Sequence, residues 1–281
     1  MDAQPTSTDL TPGADLRGAD LYGVTARWRK INGADLTGAR LVMADLTGAS
    51  LAGANLYGAD ASLAELGRAD LTGADLGAIK LISAELGNAR LSGASMIGAR
   101  LTDANAPGAD LRAVKWTYGR ADGANLSGAN LTGAYLTCTS MARANLTGAN
   151  LTGARLTNVN LTGADLTGAN LGHADLFGAD LRGANLTGAY LTCTSMARAN
   201  LTGANLTGAV ARYCHLVNAK LTGAELTGAN LEWANLTGAD LRGADLTGAD
   251  AIGADFTGAN LTGAYLTALL NADLTGAELG A

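Results

Sequence analysis

The chain has 281 residues, of which 39 are Gly and only 3 are Pro; 4% are aromatic and 48% are apolar. Collagen requires Gly at every third residue with abundant Pro, and a disordered chain requires fewer apolar residues and more charge, so the composition excludes both classes. The net charge is −6 and no block of Lys or Arg exists, which argues against direct binding to nucleic acid or to an anionic membrane.

The chain carries no sign of export or membrane insertion. Residues 1–5 form neither a basic nor an apolar leader, and no apolar run reaches the roughly 18 residues that span a bilayer. We therefore expect a cytoplasmic protein with no membrane contact. The odd number of cysteines, Cys138, Cys193 and Cys214, predicts free thiols. The excess of Arg over Lys, 15 to 4, favours a bacterial source rich in G and C.

Residues 1–13 include Pro5 and Pro12 and precede the first repeat, so they are predicted to form a flexible arm or a cover over the end of the fold. From Leu16 to Leu266 a five-residue pattern then runs in a single phase with 51 central positions. Leu fills 39 of these positions, Ala fills 42 of the positions two residues earlier, and Gly fills 31 of the positions two residues later. This repeat is the dominant feature of the sequence.

A period of five excludes a single α-helix, because a helix of 3.6 residues per turn would carry Leu around all its sides. In an extended segment, Ala and Leu two residues apart share one side, and the Asp or Asn between them faces the other. The Gly supplies the positive φ that a type II turn requires. Each repeat is thus predicted to be a very short strand plus a turn, and four repeats could close a square coil.

The motif Ala-(Asp/Asn)-Leu-(Thr/Ser/Arg)-Gly resembles the pentapeptide-repeat proteins over about residues 14 to 281. The resemblance implies an all-β fold, a right-handed quadrilateral β-helix with four repeats per coil and the Leu and Ala side chains inside. Residues 14–266 would then form about 12–13 coils.

Two segments depart from the pattern and are expected to form irregular coils. Residues 24–30 place Arg29 at an Ala position beside Trp28, and residues 114–121 place Trp116 at a Leu position. An indole is expected to fit the narrow interior badly. Each segment is therefore either a recognition loop or a locally widened coil, and both Trp28 and Trp116 are candidate partner contacts.

The last repeats also depart from the pattern. Leu266 and Leu274 are eight residues apart, which shifts the phase and leaves Leu269 and Leu270 outside it. An open β-helix end exposes unpaired strand edges and needs a cover. Residues 267–281 are therefore predicted to be a cap or a segment for homodimerisation.

If each coil takes four repeats, side chains that occupy the same position four repeats apart stack on one wall. One wall then collects six carboxylates among stacked Asn and Thr residues, and it is a candidate partner surface: Asp45, Glu65, Glu85, Asp165, Glu225 and Asp245. The alternative is a solvated ladder that stabilises stacked strands. A separate apolar cluster is predicted on another wall, at Val42, Met43, Leu63 and Ile82.

On a further wall the turn Gly is replaced in four successive coils, by His173, Cys193, Tyr213 and Trp233, with Tyr190 and Arg212 beside them. Because Tyr, Trp and Arg are enriched at binding hot spots, this column predicts a contact site or a dimer surface. A metal site of His173, Cys193 and His215 is disfavoured because no fourth ligand is evident.

No acid–base pair, nucleophile elbow or phosphate loop is present, so we expect a non-enzymatic binding protein without metal or cofactor. The resemblance implies a DNA-mimicking protector of DNA gyrase or topoisomerase IV that gives resistance to topoisomerase poisons. However, the acidic wall offers about one charge per 10 Å, against one per ~1.7 Å in duplex DNA. The alternatives are an interaction scaffold or spacer and, more remotely, an ice-binding surface of stacked Thr.

Overall fold

The computed structural model describes residues 7–280, which divide into two compact units at Ser140 and Met141. The helical structure in this range is a single 3-10 helix, Ser7–Asp9. Within residues 7–280 no segment forms an extended strand, and β pairing consists of isolated parallel bridges. The described residues contain no helix of the length and apolarity that crossing a membrane requires.

The bridges recur at every fifth residue and join residues that are four repeats apart. In unit 1, Asp35 pairs with Asn55, and in unit 2, Asp165 pairs with Asn185. The hydrogen bonds run in both directions: the Asn55 N–H donates to the carbonyl of Ala34 at 2.9 Å, and the carbonyl of Asn55 accepts from Leu36 at 2.7 Å. One coil thus takes four repeats, as predicted.

A tight turn separates consecutive bridges. The Ala39 N–H donates to the carbonyl of Leu36 at 2.9 Å, and Gly38 between them has a φ of 65°. From Gly18 to Ala268, every residue at this turn position has a positive φ, whether or not it is Gly. The predicted turn is confirmed, and the backbone does not change where Gly is replaced.

The interior is built from the Leu and Ala columns. Leu41 and Ala44, for example, are fully buried, as are their counterparts through most of the chain. Each buried Leu contributes about 1.5–3 kcal/mol of transfer free energy. The Asp and Asn side chains at the bridges point outward and cap the turns, as where Thr37 N–H donates to Asp35 Oδ1 at 3.0 Å. Outward acids therefore have a structural role as well as a charge.

The irregular coil expected at residues 24–30 is absent from the structure. Thr25 pairs with Asp45, Lys30 pairs with Ser50, and Trp28 takes the usual turn with a φ of 58°. Arg29 stands at an Ala position but is exposed, because its side chain leaves the interior in this first coil.

The irregular coil expected at residues 114–121 is absent as well. Lys115 pairs with Tyr135, and Trp116 is fully buried with its Nε1–H donating to the carbonyl of Ala99 at 3.3 Å. The indole fits because Gly119 replaces Ala, and a Cβ at Gly119 would lie 2.1 Å from the indole nitrogen. The missing Cβ of Gly119 thus provides the interior space for the indole, which an Ala at this position would occupy.

The N-terminal segment packs on the regular coils. Leu10 is buried and Gly13 N–H donates to the carbonyl of Asn32 at 3.0 Å, so residues 7–13 cover the first coil and do not form a flexible arm. The rest of the predicted arm, residues 1–6, lies outside the described residues.

The C-terminal segment keeps the bridge pattern but changes its spacing. Leu270 pairs with Asp250, at the usual separation of four repeats. Asp273 pairs with Asp255, and this separation is shorter than the usual one by two positions. One repeat near the end of the chain is therefore shortened, which is the phase shift seen in the sequence.

Candidate functional site

A column of four turn residues in unit 2 departs from the uniform surface, as does a column in unit 1 at Met43, Leu63, Ser83 and Asp103. His173, Cys193, Tyr213 and Trp233 occupy the turn position of four successive coils, with φ values of 56–58°. A left-handed conformation costs a residue other than Gly about 1–2 kcal/mol. We call these residues, with Tyr190 and Arg212, the aromatic column.

Its aromatic side chains face solvent. Tyr190, Tyr213 and Trp233 are 54%, 45% and 53% exposed. The indole of Trp233 lies against Gly253 of the next coil, where a Cβ would sit 2.4 Å from the ring atom Cε3. One face of the indole is thus packed on the backbone, and the side chain still leaves about half its surface open to a partner.

An ion pair supports the centre of the column. Arg212 Nη2 lies 2.7 Å from Glu232 Oε2, and the guanidinium carbon is 5.8 Å from the centre of the Tyr213 ring. The Arg212 Nε is buried and has no hydrogen-bond partner in residues 7–280. Because Arg212 and Glu232 neutralise each other, the surface beneath the aromatic rings carries little net charge.

The unit 1 part of the acidic wall is partly neutralised by one arginine. Asp45, Glu65 and Glu85 stack in register, as predicted. Arg27 forms an ion pair with Asp45 and lies 3.6 Å from Glu65, while Glu85 accepts a hydrogen bond from Asn105 at 2.6 Å. Arg27 therefore offsets one of the three negative charges of this stretch.

The unit 2 part of the acidic wall is different, because no Lys or Arg stands on it between residues 145 and 248. Asp165, Glu225 and Asp245 have no ion-pair partner in the described part of the chain. Hydrogen bonds from Thr247 lower the pKa of Asp245. Burial opposes ionisation of Asp165, but hydrogen bonds from Thr167 outweigh it and its pKa is also lowered. Glu225 is exposed and Asp165 and Asp245 are half-buried, so all three side chains are accessible to a basic partner.

The five-residue pattern is matched by the family model described as Pentapeptide repeats, over residues 30–68, 39–77, 79–115, 124–163, 154–192, 199–238 and 229–267. The chain belongs to the pentapeptide-repeat family. The predicted family is thereby confirmed, and with it the β-helix that its parallel bridges build.

Several solved pentapeptide-repeat structures are similar to the chain. HetL, involved in heterocyst differentiation regulation in the cyanobacterium Nostoc, is 35% identical over 86% of this chain and 90% of its own, with a TM-score of 0.42. QnrB1, a plasmid-mediated fluoroquinolone resistance protein, is 21% identical over 73% and 89%, with a TM-score of 0.30. Rfr23 from the cyanobacterium Cyanothece is 34% identical over 41% and 64%, with a TM-score of 0.20. No curated protein matches the chain.

The two tryptophans predicted as partner contacts have different surroundings in this pentapeptide-repeat fold. Trp28 is 64% exposed and lies against Gly48, where a Cβ would sit 2.1 Å from Cε3, so it remains a candidate. Trp116 is completely buried and cannot contact a partner. The prediction that Trp116 contacts a partner was wrong, because Gly119 leaves room for the indole in the interior.

The remaining predicted sites give no assembled centre. No cluster of three or more His, Cys, Asp or Glu side chains that could hold a metal occurs in residues 7–280. Cys214 is buried, and this burial raises the pKa of its thiol. Leu269 is half-buried at an Ala position and Leu270 is 50% exposed. The role of these two leucines as a cap or dimer contact stays a prediction.

The sequence pattern missed one exposed group in unit 1. Tyr57, Ile97 and Tyr118 are 55%, 51% and 70% exposed and follow bridge residues that lie four or eight repeats apart, on one wall. Sorting all large outward residues by their position within a coil would have found them, whereas the replaced turn Gly residues singled out from the sequence lie in unit 2. Tyr57 is the control position for the crosslinking experiment proposed below.

Proposed function

We propose that this pentapeptide-repeat chain is a non-enzymatic binding protein whose contact surface for a protein partner is the aromatic column. The observation that carries the proposal is that successive left-handed turns carry exposed aromatic side chains, Tyr213 and Trp233, in place of Gly. Gly would hold the same turn without steric cost, and the four residues together cost the fold several kcal/mol at about 1–2 kcal/mol each. A role in binding explains why these turns carry side chains that lower the stability of the fold.

The chemistry of the column fits a protein contact. Tyr, Trp and Arg are the residue types that contribute most at protein interfaces. Arg212 is held by Glu232, so the centre of the column is ordered before a partner arrives. Preordered side chains lose less conformational entropy on binding.

A site-specific crosslink tests this proposal. A photoreactive phenylalanine analogue at Tyr213 should yield a discrete crosslinked partner in the native cell, and the same analogue at Tyr57, which is equally exposed in unit 1, should not. The double variant Tyr213→Gly/Trp233→Gly should lose the partner while keeping its β-type circular dichroism. Equal crosslinking at both positions, or full retention of the partner by the double variant, would contradict the proposal.

The second candidate function is protection of DNA gyrase or topoisomerase IV by DNA mimicry, as the resemblance in sequence implies. The unit 2 part of the acidic wall favours it, because Asp165, Glu225 and Asp245 are unopposed by any basic residue there. The charge density is low compared with DNA, so shape would have to contribute most of the affinity.

Protection is tested by a gyrase supercoiling assay in the presence of a fluoroquinolone. If this function holds, the purified chain restores supercoiling and the variant Glu225→Gln/Asp245→Asn restores less. If a large molar excess of the chain over gyrase restores no supercoiling, this candidate function is excluded. The proposal for the aromatic column does not depend on that result.

The finer features of the fold belong to the same proposal. A right-handed β-helix is supported by the strong preference of parallel β crossovers for the right-handed connection. The register of four repeats per coil, found within each unit, supports about 12–13 coils in all. A cytoplasmic location and a homodimer through Leu269 and Leu270 complete the proposal.

A further inference from the structure

One wall of unit 1 groups large apolar side chains from four successive coils. Tyr22, Met43 and Leu63 are 51%, 53% and 55% exposed, and the half-buried Val42 and Ile82 lie beside them. We call these five residues the apolar face. Exposed apolar residues that form one patch, rather than standing singly, mark an interaction surface.

Part of the apolar face is ordered by contacts within the chain. The Tyr22 hydroxyl donates to Sδ of Met43 at 3.1 Å, and the guanidinium carbon of Arg40 lies 4.5 Å from the centre of the Tyr22 ring. Side chains held in this way lose less conformational entropy when a partner binds.

Charged residues along one side of the apolar face alternate in sign. Asp20, Arg40, Asp60 and Lys80 are bridge partners in successive coils. Arg40 Nη1 lies 3.1 Å from Asp20 Oδ2, and Lys80 Nζ lies 3.3 Å from Asp60 Oδ2. Among the bridge residues of the described range, 7–280, this is the one run of four alternating charges. The run has no net charge, so the order of its signs, and not its total charge, selects a partner.

This order of signs is complementary to itself in reverse. Consider a second copy that faces the first across a two-fold axis, perpendicular to the coil axis and passing between the coils of Arg40 and Asp60. The first of the four coils then faces the fourth coil of the other copy, and the second faces the third. Asp20 thus lies opposite Lys80 of the second copy, and Arg40 lies opposite Asp60, so every charge of the run meets an opposite charge.

The same two-fold axis brings the apolar residues together. Met43 and Val42 belong to the coil that faces Leu63 of the other copy, and Tyr22 belongs to the coil that faces Ile82. A two-fold axis parallel to the coil axis would instead oppose like charges or place the charged run against Met43 and Leu63, which desolvates charges without a new partner. Charge complementarity therefore favours two copies in the antiparallel arrangement.

We infer that the apolar face is an interface between two copies of this chain, which lie antiparallel over these four coils. This interface goes beyond the proposed function, and it is separate from the aromatic column and from the contact predicted at Leu269 and Leu270. Four coils at about 4.8 Å each extend over only about 14 Å from the first to the last. The interface is therefore small, and dimer formation should depend on the concentration of the chain.

Sedimentation equilibrium of the full chain over a wide concentration range tests the inference. The chain should pass from monomer to dimer as its concentration rises. Leu63→Gly should weaken the dimer at least about tenfold, because the two-fold axis buries each Leu63 of the pair. Leu63 has a φ of 60°, which Gly adopts without strain, so this change does not endanger the fold.

Tyr118→Gly is the matched control. Tyr118 occupies the same kind of turn in unit 1, with a φ of 58°, and is 70% exposed, but it belongs to a coil beyond the four that form the interface. Its dimerisation constant should equal that of the unmodified chain. Circular dichroism of both variants checks that the fold is intact.

Reversal of the charged run tests the antiparallel order directly. The variant Asp20→Arg/Arg40→Asp/Asp60→Arg/Lys80→Asp keeps opposite charges next to each other within the chain, and its run is again complementary to itself in reverse. It should therefore form a dimer with itself. It should not pair with the unmodified chain, because like charges would then face each other at all four positions. Capture of the untagged variant by a tagged unmodified chain measures mixing.

Four results would overturn the inference. The chain could remain a monomer at every concentration, which would leave the apolar face to a different protein. A dimer could persist unchanged in Leu63→Gly, which would place the contact elsewhere, as at Leu269 and Leu270. Equal weakening in Tyr118→Gly, or free mixing of the reversed variant with the unmodified chain, would also exclude this interface. None of these results bears on the crosslink at Tyr213, so the proposed function is tested independently.

Discussion

Trp116 in the interior of unit 1 and Trp233 on the surface of unit 2 both replace a consensus residue, but the chain treats them in opposite ways. Around Trp116 the neighbours have changed: Gly119 replaces Ala, Ala121 replaces Leu, and the indole nitrogen donates to a backbone carbonyl. At Trp233 the backbone keeps a left-handed turn, and the side chain stays about half exposed.

The surroundings of a substituted residue thus distinguish a packing role from a binding role. A large interior residue with compensating small neighbours increases the stability of the coil that contains it. A large residue at a strained, exposed turn gains less from the fold, and under the proposed function its exposed surface contacts a partner. The same criterion can be applied to each of the other turn residues that replace Gly.

The strongest test of the comparison is Trp116→Ala. Removing a fully buried indole should lower the free energy of unfolding by about 3–5 kcal/mol, because the coil cannot collapse to fill the space. Urea denaturation measures the loss. A loss below that of an ordinary exposed substitution would mean that Trp116 is not a packing residue.

Gly119→Ala tests the compensation directly. Its Cβ would meet the indole nitrogen at 2.1 Å, so overpacking should cost about 1–3 kcal/mol. The double variant Trp116→Leu/Gly119→Ala restores the consensus residues. Its loss in free energy of unfolding should be smaller than the losses of Trp116→Leu and Gly119→Ala added together. Strict additivity of the two changes would argue against a contact between these positions.

Tyr213 provides the corresponding test on the surface. Tyr213→Gly relieves the strain of the left-handed turn, whereas Tyr213→Ala keeps it, so the Gly variant should be the more stable of the two by about 1 kcal/mol. Thermal unfolding compares them. If the Ala variant proves equally stable, the turn is not strained and the argument for a binding role weakens.

The smallest effect concerns the outward ion pairs. Hydrogen bonding from Arg242 lowers the pKa of Asp240 to about 2, below the usual value. The stabilisation is therefore complete above about pH 4 and is lost as the pH falls towards the folded pKa. Because the Arg242 side chain is mostly exposed, the contribution should stay below about 1 kcal/mol.

Asp240→Asn should make the melting temperature less dependent on pH between about 4 and 2. Arg242→Gln should have the same effect, since it removes the other partner of the pair. An unchanged pH dependence in both variants would show that the pair contributes nothing measurable.

Periodicity sufficed to predict the interior, the turn and the register of four repeats per coil, because each depends on one residue type recurring at one position. It failed at Trp116, where the decisive residue is Gly119, a single small side chain at an Ala position. For the acidic wall of unit 1 it placed Arg27 on the same wall as Asp45 but not in contact with a particular carboxylate. Ion pairs and local volume depend on neighbours in the next coil, which a one-dimensional pattern does not represent.

The constant separation of the bridge partners has a consequence for folding. Each bridging residue pairs with one about four repeats away, so the contacts of one coil can form as soon as the next four repeats are available. In a chain of 281 residues this corresponds to a relative contact order of about 0.07, as low as that of helical bundles. Within each unit the chain is therefore expected to fold by adding one coil at a time to an existing edge, during its synthesis on the ribosome.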